Sequence, residues 1–200
     1  MFEFFFADKR RKMELRRTAE VMNLQYSETA DKSFAALYKE FRLFSQGYAR
    51  RFANLLRGEF QQVSTSLFDY RYTTGSGDST HTARQTVVVF DSPRLKLPGF
   101  YLRPENLIDK IGEVFGRKDI NFAPFPRFSK QYFLRSADEE AARRLFSDWV
   151  LSYFEQHPGL CCEGRADRLI FYRAGKPVAP EKIEQFLQDG LEVFNLFKEG

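Results

Sequence analysis

Two histidines and two cysteines bring imidazole and thiol chemistry to this 200-residue chain. A general base or activated nucleophile needs an orienting group and a reacting group held within hydrogen-bond reach. His81 sits in "TTGSGDSTHTAR", residues 73–84, near Ser76, Asp78, Ser79 and Thr80. A polar loop does not hold such a set in place, so no catalytic residue is assigned there. The Gly-Ser-Gly at 75–77 invites a phosphate-loop reading. That loop needs its glycines between a strand and a helix N-terminus, where backbone N–H groups converge. Here a strand pattern follows, so the stretch reads as a β-hairpin tip that could still meet a partner. His157, in "QHPG", suits the negative end of a helix. Cys161 and Cys162 are adjacent, and on an extended segment they point to opposite faces, which disfavours a bridge between them. With Glu163 beside them they could form a soft-metal corner, but a complete ligand set is missing. They read as buried thiols. No cofactor and no metal are expected, and enzymatic activity stays open.

Three further patterns could make contacts rather than break bonds. In "FDYRYTT" Asp69 alternates with Arg71, and Tyr70 with Tyr72. The plain reading is an exposed cross-strand ion pair. The sharper one makes Asp69, Tyr70, Arg71 and Tyr72 a ligand or partner surface, or the lining of a pocket between sheet and helices. In "NFAPFPRF" the rings of Phe122, Phe125 and Phe128 are separated by prolines. They either plug the sheet's end or present an apolar ridge to a partner. At the start, Phe2, Phe4, Phe5 and Phe6 are followed at once by Lys9, Arg10, Arg11, Lys12, Arg16 and Arg17. Aromatic rings enter the lipid interface, and each nearby basic residue adds about 1 kcal/mol on anionic lipid. The same residues could instead fold back onto the domain, lie on nucleic acid, or meet a protein. Nucleic acid is the weakest of these readings, for want of a recognised binding pattern. The carboxylates Asp69, Asp91, Glu105, Asp109, Asp119 and Glu163 are scattered, and spacing alone pairs none of them.

The elements that must position these residues follow from periodicity. Residues 8–24 and 33–44 recur at helical intervals. Period-two patterns then mark strands over 48–60 and 61–74, joined at Gly58, and over 84–92, where Val87, Val88, Val89 and Phe90 suggest burial on both faces. "GFYLRP" and "KQYFLRS" are short strands. "RPENLIDKIGEVFG" is a helix with proline first and Gly116 at its stop. Ser136 and Glu139 have capping-box spacing ahead of a helix reaching to His157. Two strands then turn near residues 164–167, and a helix with Ile183, Phe186, Leu187, Leu191 and Phe194 in register closes the chain. The fold class is α+β: a largely antiparallel sheet with amphipathic helices packed on one face. Residues 1–30 form a Phe/basic helical arm and residues 31–200 a single domain.

Composition agrees. The chain is 43% hydrophobic and 16% aromatic, with 23 Phe, so the core is Phe-rich and the chain globular. A formal charge of +4 describes a mixed surface rather than a polycation. The paucity of cysteine fits a reducing compartment, and no apolar run approaches the roughly 20 residues that span a bilayer. A secretory leader places its charges before the apolar run, the reverse of this start. These point to the cytoplasm, at the inner membrane surface if the Phe/basic start attaches there.

"LFDYRYTTGSG…QTVVVF", "LPGFYLRPENLIDKIGEVFGRKDINF", "FSKQYFLRS" and "LIFYRAGKPV" together resemble a group of bacterial proteins without an assigned activity. The resemblance covers residues 40–198 or thereabouts. It implies a bacterial source, and membrane-spanning segments ahead of this region in some members favour the membrane reading. It transfers no catalytic residue. The leading expectation is a non-enzymatic binding or interaction module with an unidentified protein partner, peripheral to an anionic membrane surface. The alternatives are a small-ligand-binding domain or enzyme with a pocket between sheet and helices, and a weak nucleic-acid binder through the N-terminal basic helix.

Overall fold

A computed structural model describes residues 2–107 and 119–198, with the backbone alone for residues 2–7. In chain order the helices are α1 (Phe2–Val21), α2 (Lys32–Leu37), α3 (Arg42–Ser45), α4 (Pro126–Gln131), α5 (Glu139–Leu145), α6 (Asp148–Gln156) and α7 (Ile183–Lys198). The strands are β1 (Gln25–Thr29), β2 (Tyr48–Phe60), β3 (Val63–Thr74), β4 (His81–Asp91), β5 (Leu97–Pro104), β6 (Tyr132–Ser136), β7 (Cys161–Ala166) and β8 (Arg168–Tyr172). They form one antiparallel sheet in the order β1-β2-β3-β4-β8-β7-β5-β6. The fold is α+β.

Alternation along the strands divides the core in two. On one face Leu56, Leu67, Val88, Phe90, Leu102, Cys162, Leu169 and Phe171 meet α1, α5, α6 and α7. On the other, Leu55, Phe68, Tyr70, Tyr72, Val87, Val89, Cys161 and Ile170 meet Phe34, Tyr38, Phe41 and Phe44 from α2 and α3. The late helices share one face, and two short early helices cover part of the second. The segment read as an arm lends Leu15, Ala19 and Leu24 to the first core, and β1 is the sheet's edge strand on β2.

Local chemistry corrects several boundaries. The β2–β3 turn is at Gln61 and Gln62, both left-handed (φ 48° and 66°), not at Gly58. Gly58 is needed for space: a Cβ there would lie 2.9 Å from Leu24 Cδ2. The 33–44 helix is two short helices, with Asp31 capping the first by accepting from Phe34 N–H at 2.7 Å. The α5 N-cap is Asp138, which accepts from Ala141 N–H at 2.9 Å, whereas Ser136 ends β6 and donates to Gly99 O. That helix is also interrupted between Leu145 and Asp148, where Ser147 caps α6. Pro104 closes β5, and residues 105–107 make a 3₁₀ turn. The remainder of the helix expected there, with Asp109, lies outside the described residues.

Candidate functional site

Asp69 is the centre of the polar structure on the α1 face of the sheet. In β3 it shares a face with Leu67 and Arg71, as alternation requires. Its partner is not Arg71. Arg11 of α1 grips it with both arms of the guanidinium, Nε to Oδ2 and Nη2 to Oδ1, each 2.7 Å. Asn54 Nδ2 donates to Oδ2 at 2.8 Å and Thr86 Oγ1 to Oδ1 at 2.9 Å. Asn54 reaches this face because β2 is irregular there: its φ is +52° and the register shifts between Ala53 and Leu56. Tyr26 O–H donates to Asn54 Oδ1 at 2.8 Å, and burial raises the Tyr26 phenol to about 12. Arg11 Nη1 also donates to Val178 O, and Val178 N–H to Thr86 Oγ1. The network ties α1, β1, β2, β3, β4 and the segment before α7 to one carboxylate. The expected cross-strand Asp69–Arg71 pair is therefore corrected: consecutive same-face positions lie along one strand, and the helix supplies the counter-charge.

One step along the strands from Asp69 lies a row of arginines. Arg71 is directly opposite Arg51 of β2 on one side and Arg84 of β4 on the other. With Asp8, Arg11, Lys12, Glu28 and Asp69 they line a groove of about 340 Å³ between α1 and the sheet. The acids at its rim are engaged: Lys12 lies 3.6 Å from Asp8 and 3.5 Å from Glu28, and Arg16 lies 3.4 Å from Glu28. Asp69, Tyr70 and Arg71 thus do line a concavity between sheet and helix, although the Tyr70 ring packs on the other side of the sheet; Tyr72 does not line it.

The opposite face is closed where α2 and α3 lie over it. Tyr70 and Tyr72 are buried beneath α2 and α3, with Phe44 edge-on to Tyr70 at 4.9 Å. The aromatic partner surface expected from the β3 tyrosines is thus corrected: those rings are core. Near them Glu163, 2% exposed, accepts the N–H groups of Arg42 and Leu43 at 2.6 and 2.9 Å and so holds the start of α3. Burial pushes its carboxyl up to about 7, against the pull of those N–H groups and of Arg42 and Arg103.

The remaining sequence candidates are placed as follows. Phe122 and Phe128 are buried and Phe125 packs, partly buried, against the same core; of the two readings of these rings the structure has the plug, beside Tyr132, and not the apolar ridge for a partner. His81 opens β4 opposite Thr74, exposed at the foot of the hairpin. His157 ends α6, stacked on Tyr153 with ring centroids 4.1 Å apart. Cys161 and Cys162 are free, buried and on opposite faces; burial pushes the Cys161 thiol up to about 12. Among the described residues no group of three His, Cys, Asp or Glu side chains could hold a metal ion. Of the N-terminal basic residues, Arg11 and Lys12 face the sheet, while Lys9, Arg10, Arg16 and Arg17 are exposed. The side chains of Phe2, Phe4, Phe5 and Phe6 lie outside the described residues.

Sequence reading missed Arg51 and Arg84 as members of a site, and Arg11 as the partner of Asp69. "YARRF" and "TARQT" carry the arginines in plain view, but only strand register sets them opposite Arg71.

No protein-family model and no curated protein matches the chain. Among the described residues no helix is long and apolar enough to cross a membrane. The fold is similar to the crystal structure of the mycobacterial trehalose monomycolate transport factor A, TtfA, with a TM-score of 0.60 and 12% sequence identity, over 94% of this chain and 92% of that one.

Proposed function

We propose that the protein is a non-enzymatic binding module attached peripherally to an anionic membrane surface by the N-terminal end of α1. The observation that carries this reading is the division of α1's charge. Arg11 is committed to Asp69, while Lys9, Arg10, Arg16 and Arg17 remain exposed on a helix whose first turns bear Phe2, Phe4, Phe5 and Phe6. Aromatic rings beside an exposed basic face are the two signals that hold a peripheral protein on anionic lipid. The docked half of α1 fixes the orientation of the other half, so attachment would present the body of the domain in one pose. The likeness in fold to a transport factor is in keeping with a membrane-associated role, and the resemblance to bacterial proteins, some with spanning segments, favours it; the attachment we propose is at the inner, cytoplasmic face. A protein partner would then be met by the remaining surface.

The test is sedimentation with vesicles containing anionic lipid. Truncation is unsuitable, because residues 1–17 include Arg11 and Leu15, which belong to the core network. Replacing Phe2, Phe4, Phe5 and Phe6 by Ser, or Lys9, Arg10, Arg16 and Arg17 by Gln, should move most of the protein from pellet to supernatant. Wild-type protein that stays in the supernatant, or variants that sediment equally, would exclude the reading.

A further inference from the structure

Two members of the arginine row, Arg51 and Arg71, are not accounted for by ion pairs among the described residues. Residues directly opposite on antiparallel strands have Cβ atoms about 5 Å apart, and like charges so placed repel. Arg51, Arg71 and Arg84 stand opposite one another on three neighbouring strands. The nearest strong acid, Asp69, is saturated by Arg11, Asn54 and Thr86. Asp8 and Glu28 are taken by Lys12 and Arg16. Among the described residues neither Arg51 nor Arg71 has an ion-pair partner. All three line the groove, so a ligand can reach them from solvent.

We propose that this groove binds a phosphate group, with Arg51 and Arg71 as its principal ligands and Arg84 flanking them. Guanidinium forks match the oxygens of a phosphate, and two forks on a rigid sheet are held ready before the anion arrives. The volume lies in the range of small-ligand sites, leaving room for a substituent on the phosphate. Arg11 is excluded from the ligand set by its grip on Asp69, and so acts as a positioning residue that keeps α1 as the groove's wall. A soluble phosphate ester and a lipid headgroup present the same group to the arginines, and the chemistry of recognition is the same. The site is separate from the Phe/basic attachment surface and does not depend on it.

The full-length protein is titrated calorimetrically with inorganic phosphate and with glycerol 3-phosphate; flotation with phosphatidylcholine vesicles carrying phosphatidic acid uses full-length protein in which Phe2, Phe4, Phe5 and Phe6 are replaced by Ser and Lys9, Arg10, Arg16 and Arg17 by Gln, so that only the groove is read. At least one probe should bind saturably. Arg71→Gln and Arg51→Gln should each weaken that binding tenfold or more, and Lys96→Gln, exposed between β4 and β5, should leave it unchanged. Both groove variants lessen a like-charge repulsion, so they should melt no lower than wild type without ligand. Binding of the soluble probes identifies a free phosphate compound; binding of the vesicles alone, still abolished by Arg71→Gln, identifies a headgroup. Failure of all three probes, or undiminished binding by a natively folded Arg51→Gln/Arg71→Gln double variant, overturns the proposal. The Phe→Ser variants test membrane attachment separately, since they leave the groove and the soluble titrations intact.

Discussion

Asp69 shows how a single side chain acquires its meaning from groups far away in the chain. Arg11 is 58 residues distant, and Thr86 and Asn54 come from two other strands. The pair is partly exposed, at 20% and 16% for the two side chains, which tempers its worth relative to a dry ion pair. Asp69→Ala still strands a guanidinium, an amide and a hydroxyl at once. It should cost about 2–3 kcal/mol in urea unfolding; a loss below about 0.5 kcal/mol would show the network to be ornamental. Glu163 makes a pH-dependent contribution. Its carboxyl titrates near 4.5 ordinarily and is raised to about 7 by burial. A raised carboxyl means that the folded state keeps a proton the unfolded state has released. The associated stability is complete below about pH 4.5 and is lost as pH rises to about 7. The Tm advantage of wild type over Glu163→Gln should therefore shrink across that interval; an advantage that grows would show that the Arg42 and Leu43 N–H groups outweigh desolvation. Neither role was visible in sequence, where both residues were members of a scattered set of carboxylates.

At the scale of elements, strands were legible because their faces alternate. Phe68, Tyr70 and Tyr72 do share one face, and Val87, Val88, Val89 and Phe90 are buried on both. β1 was not legible: "QYSET" is almost wholly exposed, and backbone pairing with β2 holds it rather than an apolar pattern. Helices that bury few residues in short stretches, such as α2 and α3, look continuous from periodicity because the ring spacing survives the break between them. Glycine in a strand has a meaning that composition hides. Gly164 of β7 faces β5, and a Cβ there would lie 2.8 Å from Leu97 Cδ1 and closer still to the Phe100 ring. Gly164→Ala forces those core side chains aside and should lower stability by about 1–3 kcal/mol, read as a fall in the urea midpoint. An unchanged midpoint would mean that the β5 side chains repack without cost.

For the whole molecule, the amino-acid sequence determined the class of fold, the Phe-rich core, the separated cysteines, and the hairpin that carries His81. These follow from short-range rules, namely side-chain period, turn chemistry and the opposite facing of adjacent residues in a strand. The tertiary structure alone decided that α1 and β1 belong to the core and sheet. It also covered the aromatic face of β3 with α2 and α3, chose Arg11 as the partner of Asp69, and set Arg51, Arg71 and Arg84 in one row. Those outcomes depend on strand register and on which helix covers which face. Both are fixed by the summed burial of many distant residues, because a slip of one position would turn every side chain of a strand to the other side of the sheet.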